Sequence, residues 1–196
     1  MKQKAPPLIA TVLTLLVAGC SKNPSLWGGV SPKEIIDAGK ITSGTYYNPF
    51  FEFAVKLPPD WKVLDPNSLK ETGAIHLFAI SKYGDANTPQ HNADLSCSAF
   101  SLRTTPNVIT GADYLAGVKD LIPPDITITQ DITTQQIGGR RFAVMRTDRT
   151  KNNMTVHQVV AATAIPGWAL VCFGSYGTDD EQKEVQQVLD SIKFDQ

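Results

Sequence analysis

The stretch YYNPFFEFAVKLPPDWKV, residues 46–63, carries the alternation of a strand that is buried on one face. Every second residue in its middle is apolar: Phe51, Phe53, Val55 and Leu57. Side chains of a pleated strand point to opposite faces in turn, so this period places the apolar set on one face. Pro58-Pro59-Asp60 ends the strand, and residues 61–64 continue in an extended conformation. The stretch therefore predicts a half-buried strand at the start of a folded domain.

Later segments share this strand-like composition and are separated by turn residues. They are Ala74–Ser81, Leu95–Arg103, Ile126–Ile137, Arg140–Asp148, Thr155–Ala164 and Trp168–Tyr176. Short turn sequences at Gly138-Gly139, Lys151-Asn152-Asn153 and Pro166-Gly167 divide the segments after residue 125. This spacing predicts a meander of hairpins.

Two segments have the helical period instead. The first, Thr110–Ile122, has Thr110 as its capping residue and ends before Pro123-Pro124. The second opens with Thr178 and Glu181, which have the spacing of a capping box, and its apolar residues return at helical intervals. Strands, a helix, a meander and a final helix predict an α+β domain, an antiparallel sheet flanked by helices.

The N-terminus has the layout of a secretory signal: two lysines in MKQK, then an apolar run from Pro6 to Val17. Val17, Ala18, Gly19 and Cys20 then resemble the lipobox of bacterial lipoproteins. The resemblance implies that a signal peptidase recognises the first three, that Cys20 becomes the first residue, and that Cys20 carries acyl chains such as palmitate. Several acyl chains give a stable membrane anchor, whereas one gives only marginal binding. The alternative is an ordinary signal peptide with a chance cysteine.

These observations divide the chain into three parts. Residues 1–19 are predicted to be the lipoprotein signal peptide, 20–44 a tether with a short helix capped by SPKE at residues 31–34, and 45–196 the globular domain. Ser21 follows the cysteine where an inner-membrane retention signal would have Asp. We therefore expect anchoring in the outer membrane, facing the periplasm.

The globular domain has its own resemblance. FFEFAVKLPPDW, residues 50–61, is similar to the first strand of the PsbP-like α/β/α sandwich group. The run ITTQQIGGRRFAVMRTDR and the C-terminal segment from Trp168 to Phe194 are similar in layout to DcrB-type bacterial lipoproteins. The resemblance spans residues 46–194 and implies a PsbP-like sandwich and a small, non-enzymatic envelope or assembly-associated module.

Composition and motifs give no sign of an enzyme, a cofactor site or a recognised metal-binding motif. The chain has 18 basic and 19 acidic residues, and without Lys2 and Lys4 the formal charge is −3, so we expect no nucleic-acid partner. The serine in GSYG, residues 174–177, lacks the turn that exposes a catalytic nucleophile. Asp179-Asp180 suits the first turn of a helix. The three histidines match no metal-ligand spacing.

Cys97 and Cys172 remain once Cys20 is assigned to lipid. A pair of cysteines in an oxidising compartment predicts a disulfide that closes a loop of about 75 residues, which the chain-entropy model values at roughly 4 kcal/mol. Both cysteines lie in apolar strand segments, so two buried free thiols are the alternative.

Tyr47, Phe50 and His91 are the candidate partner contacts. Tyr47 and Phe50 belong to an aromatic cluster at the start of the domain. His91 lies in the polar loop TPQHNAD, where Gln90, His91, Asn92 and Asp94 cluster as a candidate for metal binding or partner contact. We predict a lipid-anchored cell-envelope protein that acts as a binding or accessory module through contacts with a protein partner. A periplasm-facing carrier of a small apolar ligand is the alternative.

Overall fold

Strands dominate the computed structural model, which describes residues 39–65, 74–84, 88, 91–103, 105, 107–151 and 153–195. The strands are β1 (Lys40–Thr42), β2 (Thr45–Asn48), β3 (Phe53–Lys56), β4 (Lys62–Leu64), β5 (Ala74–Ser81), β6 (Ala93–Ser101), β7 (Ile126–Ile137), β8 (Arg140–Lys151), β9 (Met154–Ile165), β10 (Trp168–Tyr176) and β11 (Lys193–Phe194). The helices are α1 (Gly111–Lys119) and α2 (Asp179–Asp190).

The strands form two antiparallel sheets. The large sheet has the order β4-β5-β6-β10-β9-β8-β7, and the small sheet has the order β1-β2-β3-β11. The meander predicted from residue 126 onward is present, because β7 pairs with β8, β8 with β9, and β9 with β10. Strand β10 also pairs with β6, which joins the two halves of the large sheet. The predicted antiparallel sheet is therefore confirmed.

Each face of the large sheet packs against a different layer. Val144 and Leu170 point into a core shared with α2 and with the small sheet, which contributes Phe53. Met145 and Val171, their neighbours in sequence, point to the other face and pack against α1. Alternation along β8 and β10 thus builds two cores from one sheet.

The predicted helix-flanked sandwich is correct only in part. One helix covers each face, but the face that carries α2 is also covered by the small sheet. The helix predicted over Thr110–Ile122 ends at Lys119. Strand β1 lies inside residues 20–44, the predicted tether, and pairs with β2. The domain is therefore more sheet-rich than the sequence indicated.

The strand predicted over residues 51–57 is present but shorter, as β3 at Phe53–Lys56, and it is the second arm of a hairpin. Strand β2 pairs with β3 so that Asn48 lies opposite Phe53, and residues 49–52 form the turn. The backbone N–H groups of Phe50 and Phe51 donate to the side-chain oxygen of Asn48 over 3.1 and 3.0 Å. An Asn side chain that holds its own following backbone in this way is a turn-forming element. The turn interrupts the strand, yet Phe51 still reaches the core.

The two helices begin with different caps. Thr110 and Asp113 form a complete capping box at α1, with reciprocal bonds of 3.2 and 2.8 Å. At α2, Thr178 accepts from the backbone N–H of Glu181. The Glu181 carboxylate accepts from Gly177 N–H rather than from Thr178 N–H. The capping box predicted at Thr178 and Glu181 is therefore present only in its first half.

Within the described ranges, no helix is both long and apolar enough to cross a membrane.

Candidate functional site

An exposed aromatic corner lies at one end of the large sheet. This end, where β6 finishes at Ser101 and β10 starts at Trp168, is called the Trp168 end below. The ring of Phe50 is 4.8 Å from the ring of Phe51 and 6.4 Å from that of Trp168, both edge to face. Phe51 and Trp168 are buried, whereas Phe50 is 40% exposed. A half-exposed ring on a rigid aromatic base is the type of side chain that anchors protein interfaces.

Tyr47, the second candidate contact, lies beside this corner on the outer face of the small sheet. It is opposite Lys40 in β1 and Ala54 in β3, and it is 41% exposed. Its hydroxyl donates to the Asp195 carboxylate over 3.2 Å. Partial desolvation, followed by that hydrogen bond, raises the pKa of Tyr47. The phenol is therefore neutral at neutral pH, and because its one proton is donated to Asp195, its oxygen is the part that can accept a hydrogen bond from a partner on this face.

His91, the third candidate, lies at the opposite end of β6. Its ring is 5.8 Å from the ring of Tyr83, and its backbone pairs with that of Thr88. Strand β6 has nine residues, so about 27 Å of strand separates the two ends of the sheet. The structure therefore brings Tyr47 and Phe50 together and leaves His91 on a separate surface.

The polar loop that contains His91 does not gather ligands around it. Asn92 and Asp94 are buried under the sheet, whereas His91 is exposed. Across the parts of the chain that the structure describes, no three His, Cys, Asp or Glu side chains are close enough to hold a metal ion. Gln90 is outside those parts.

Cys97 and Cys172 face each other across the centre of the large sheet. They occupy directly opposite positions of β6 and β10, their Cα atoms are 4.1 Å apart, and the structure joins them in a disulfide. Both are fully buried in the core that contacts α2. The bond thus links the two halves of the large sheet where β10 enters between β6 and β9.

A buried polar row crosses the large sheet near its His91 end and was not predicted from the sequence. Neighbouring strands place its members directly opposite one another: Ser81, Asp94, Ser175, Gln158 and Thr147. The Ser175 hydroxyl lies 3.3 Å from the Asn92 side-chain oxygen, and the Thr147 hydroxyl donates to Gln158 over 3.1 Å. The alternation of serine with apolar residues in Leu95–Phe100 was the available signal, because it places Ser96 and Ser98 on one face.

The lipobox residues Val17, Ala18, Gly19 and Cys20 lie outside the described residues, as does the predicted helix that begins with SPKE. The lipidation site therefore stays a prediction of the sequence.

Comparison with known proteins identifies the fold. No protein-family model matches the chain, and no curated protein matches it. Three solved structures are similar. LpqN of Mycobacterium tuberculosis, described as involved in cell envelope biogenesis, is 15% identical, with a TM-score of 0.50 over 74% of this chain and 83% of LpqN. A Bacteroides thetaiotaomicron protein is 13% identical, with a TM-score of 0.52 over 80% of this chain and 50% of that protein. CyanoP, the cyanobacterial PsbP of Synechocystis, is 13% identical, with a TM-score of 0.53 over 80% of this chain and 96% of CyanoP.

At these identities the likeness concerns the fold alone. The chain has a PsbP-like fold, built mainly of antiparallel sheet with two helices in the described residues.

Proposed function

We propose that this chain is a lipid-anchored protein of the cell envelope that works as a non-enzymatic binding or accessory module. The acylated residue is Cys20, and the domain acts through contacts with a protein partner. Anchoring in the outer membrane, facing the periplasm, is part of the proposal. The lipobox sequence supports the anchor, and the similarity in fold to LpqN is compatible with a role in the envelope.

The exposed aromatic corner carries the proposal of a protein partner. Phe50 is held on one side by Phe51 and Trp168, so its orientation is largely fixed before binding. Preorganised aromatic side chains lose little conformational entropy at an interface and supply much of its binding free energy. Tyr47 adds a neutral hydroxyl on the adjoining face.

The non-enzymatic part of the proposal rests on what the polar side chains already do. Ser175 is buried and faces Asn92 and Asp94, at 3.3 and 3.5 Å, instead of a histidine base on an accessible surface. Asp180 pairs with Lys183 over 2.8 Å on the surface of α2. A nucleophile needs both a base and access for its substrate, and the buried Ser175 lacks that access.

The carrier of a small apolar ligand stays the alternative. The face covered by α1 is filled by Leu115 and Val118 against Met145 and Val160. The buried row beside this packed region is polar. Both observations favour the binding module over the carrier.

Site-specific photo-crosslinking in intact cells tests the protein contact. A benzophenone amino acid replaces Phe50 in one variant and Val63 in a matched control, since Val63 is an apolar side chain that is 52% exposed on strand β4. We expect one discrete protein adduct from position 50 and none from position 63. The same adducts from both positions, or no protein adduct from position 50, would contradict the proposed contact.

A further inference from the structure

The tether enters the domain at the Trp168 end. Lys40 lies opposite Tyr47, so Gly39, the residue before β1, lies beside Asn48 and close to the turn that carries Phe50. Gly39 has a left-handed φ of 77°, and an added Cβ would come 2.5 Å from the carbonyl oxygen of Tyr47. Only glycine fits this close approach without strain. Gly39, where the described chain begins, therefore lies next to the aromatic corner.

Among the described residues, the most exposed large apolar side chain is at the same end. Ile109 is 77% exposed and lies in the loop between β6 and α1. This loop is fixed beside the turn that leads to Trp168, because Leu102 N–H donates to the carbonyl oxygen of Gly167 over 2.9 Å. Gly111, two residues after Ile109, packs against the backbone of Ala162 and Thr163 near the end of β9. Ile109 and Phe50 thus project from one end of the domain.

Basic side chains surround these apolar residues. They are Lys40, Arg103, Arg140, Arg141 and Lys193, of which Arg140 lies over the ring of Phe194 at 4.7 Å. Among the described residues, the exposed acidic side chains near this end are Glu52, Asp113, Asp190 and Asp195. Asp113 is used in the cap of α1, and Asp195 accepts from Tyr47. At the opposite end, α2 begins with the exposed acids Asp179 and Asp180. At the Trp168 end, exposed basic side chains therefore lie around the exposed apolar residues, whereas Asp180 at the opposite end is paired with Lys183.

This combination fits the surface of an anionic bilayer. Lysine and arginine are attracted to anionic headgroups by about 1 kcal/mol each near the surface, and tyrosine, here the exposed Tyr47, favours the headgroup region. Gly39 lies only 19 positions after Cys20, the proposed anchor, in the predicted tether. Such a tether keeps the domain at a high effective concentration beside the membrane, so weak contacts are sufficient.

We propose that the Trp168 end rests on anionic phospholipid headgroups, with Ile109 at the interface and Lys40, Arg103 and Arg141 beside the phosphates. This inference rests on the proposed lipid anchor.

The test uses the full-length acylated protein in vesicles. A photo-crosslinking amino acid replaces Ile109, with Val63 on strand β4 as the control position. In vesicles that contain phosphatidylglycerol, we expect lipid adducts from position 109 and not from position 63. Vesicles of phosphatidylcholine alone, or the paired substitutions Arg103→Gln and Arg141→Gln, should lower the yield at position 109 on the order of tenfold. Equal yields of lipid adduct at positions 109 and 63 would overturn the inference. So would a yield at position 109 that is unchanged by phosphatidylcholine vesicles and by the two arginine substitutions.

The intact mass of the purified protein separates the two proposals. If Cys20 carries no acyl groups, the anchor fails and this inference fails with it. If Cys20 is acylated and position 109 gives no lipid adduct, only the membrane orientation is wrong. The thermal midpoint of the arginine variant provides the folding control, because Arg103 and Arg141 are exposed and their removal should leave it nearly unchanged.

Discussion

Single side chains decide where this chain departs from its sequence pattern. The two-residue period of residues 51–57 predicts one strand, but Asn48 binds the two backbone N–H groups that follow Pro49 and turns the chain. The two-residue period could not reveal the turn, because Phe51 is buried in the turn as it would be in a strand. Phe50 lies in the same turn and becomes the exposed ring of the corner. The Asn48 side chain, by forming this turn, thus creates the candidate site.

The disulfide between Cys97 and Cys172 is the first prediction at this scale. Their directly opposite positions allow the bond without backbone movement. Alkylation of the denatured but unreduced protein, followed by intact mass measurement, should add no label to either residue. The same alkylation after reduction should label both residues. Loss of the disulfide should lower the free energy of unfolding by roughly 4 kcal/mol in the chain-entropy model. Labels on both residues before reduction would identify the free-thiol alternative.

At the scale of elements, the sequence predicts whether a segment is helix or strand better than it predicts where the segment ends. Both helices and the meander follow from local periodicity, and the cap of α1 is where Thr110 indicated. The end of α1 was overestimated because Leu121 and Ile122 continue the apolar period beyond the last helical hydrogen bonds. At α2, the buried Glu181 accepts from Tyr83 over 2.8 Å as well as from Gly177, and this tertiary contact draws it away from Thr178.

Two glycines of α1 give opposite predictions. The Cβ of Gly117→Ala would meet nothing within 4 Å, so the substitution should stabilise the protein by about 0.5–1 kcal/mol through the lower entropy of the unfolded chain. The Cβ of Gly111→Ala would overlap the carbonyl group of Ala162, so that substitution should destabilise it by about 1–3 kcal/mol. Urea unfolding of both variants measures the difference. Equal effects would show that α1 does not pack on β9 as described.

The cap of α1 also predicts a dependence on acid. The hydrogen bond from the Thr110 hydroxyl, followed by the bonds from the Thr110 and Ile109 backbone, lowers the pKa of Asp113. A carboxylate whose pKa is lower in the folded state stabilises the fold above its unfolded value, near 3.9, and loses that effect as pH falls through the folded value. Asp113→Asn keeps an acceptor oxygen without the charge.

The comparison of wild type with Asp113→Asn isolates this titration from those of the other carboxylates. We expect wild type to be the more stable at neutral pH and the gap in the unfolding midpoint to close as pH falls below about 4. A gap that stays constant across that range would show that the charge of Asp113 does not contribute.

At the scale of the whole molecule, local pattern predicts the antiparallel class but not the pairing. Strand β10 lies between β6 and β9, and β11 pairs with β3 from the far end of the chain. The pairing of β10 with β6 and that of β11 with β3 do not follow from turns, because long stretches of sequence separate the paired strands. The same holds for the site. Tyr47 and Phe50 could be nominated as exposed aromatics, but only the fold brings Trp168, Ile109 and Gly39 to the end that they share.

The anchor at Cys20 is the claim on which the membrane-facing arrangement depends, and cell fractionation tests it most directly. Cells produce the wild type, Cys20→Ser and the control Ser21→Ala, and the membrane fraction is washed and analysed by intact mass. We predict acylated wild type and Ser21→Ala in the membrane fraction, and loss of Cys20→Ser from it. Cys20→Ser retained in the membrane to the same extent as wild type would contradict the lipid anchor.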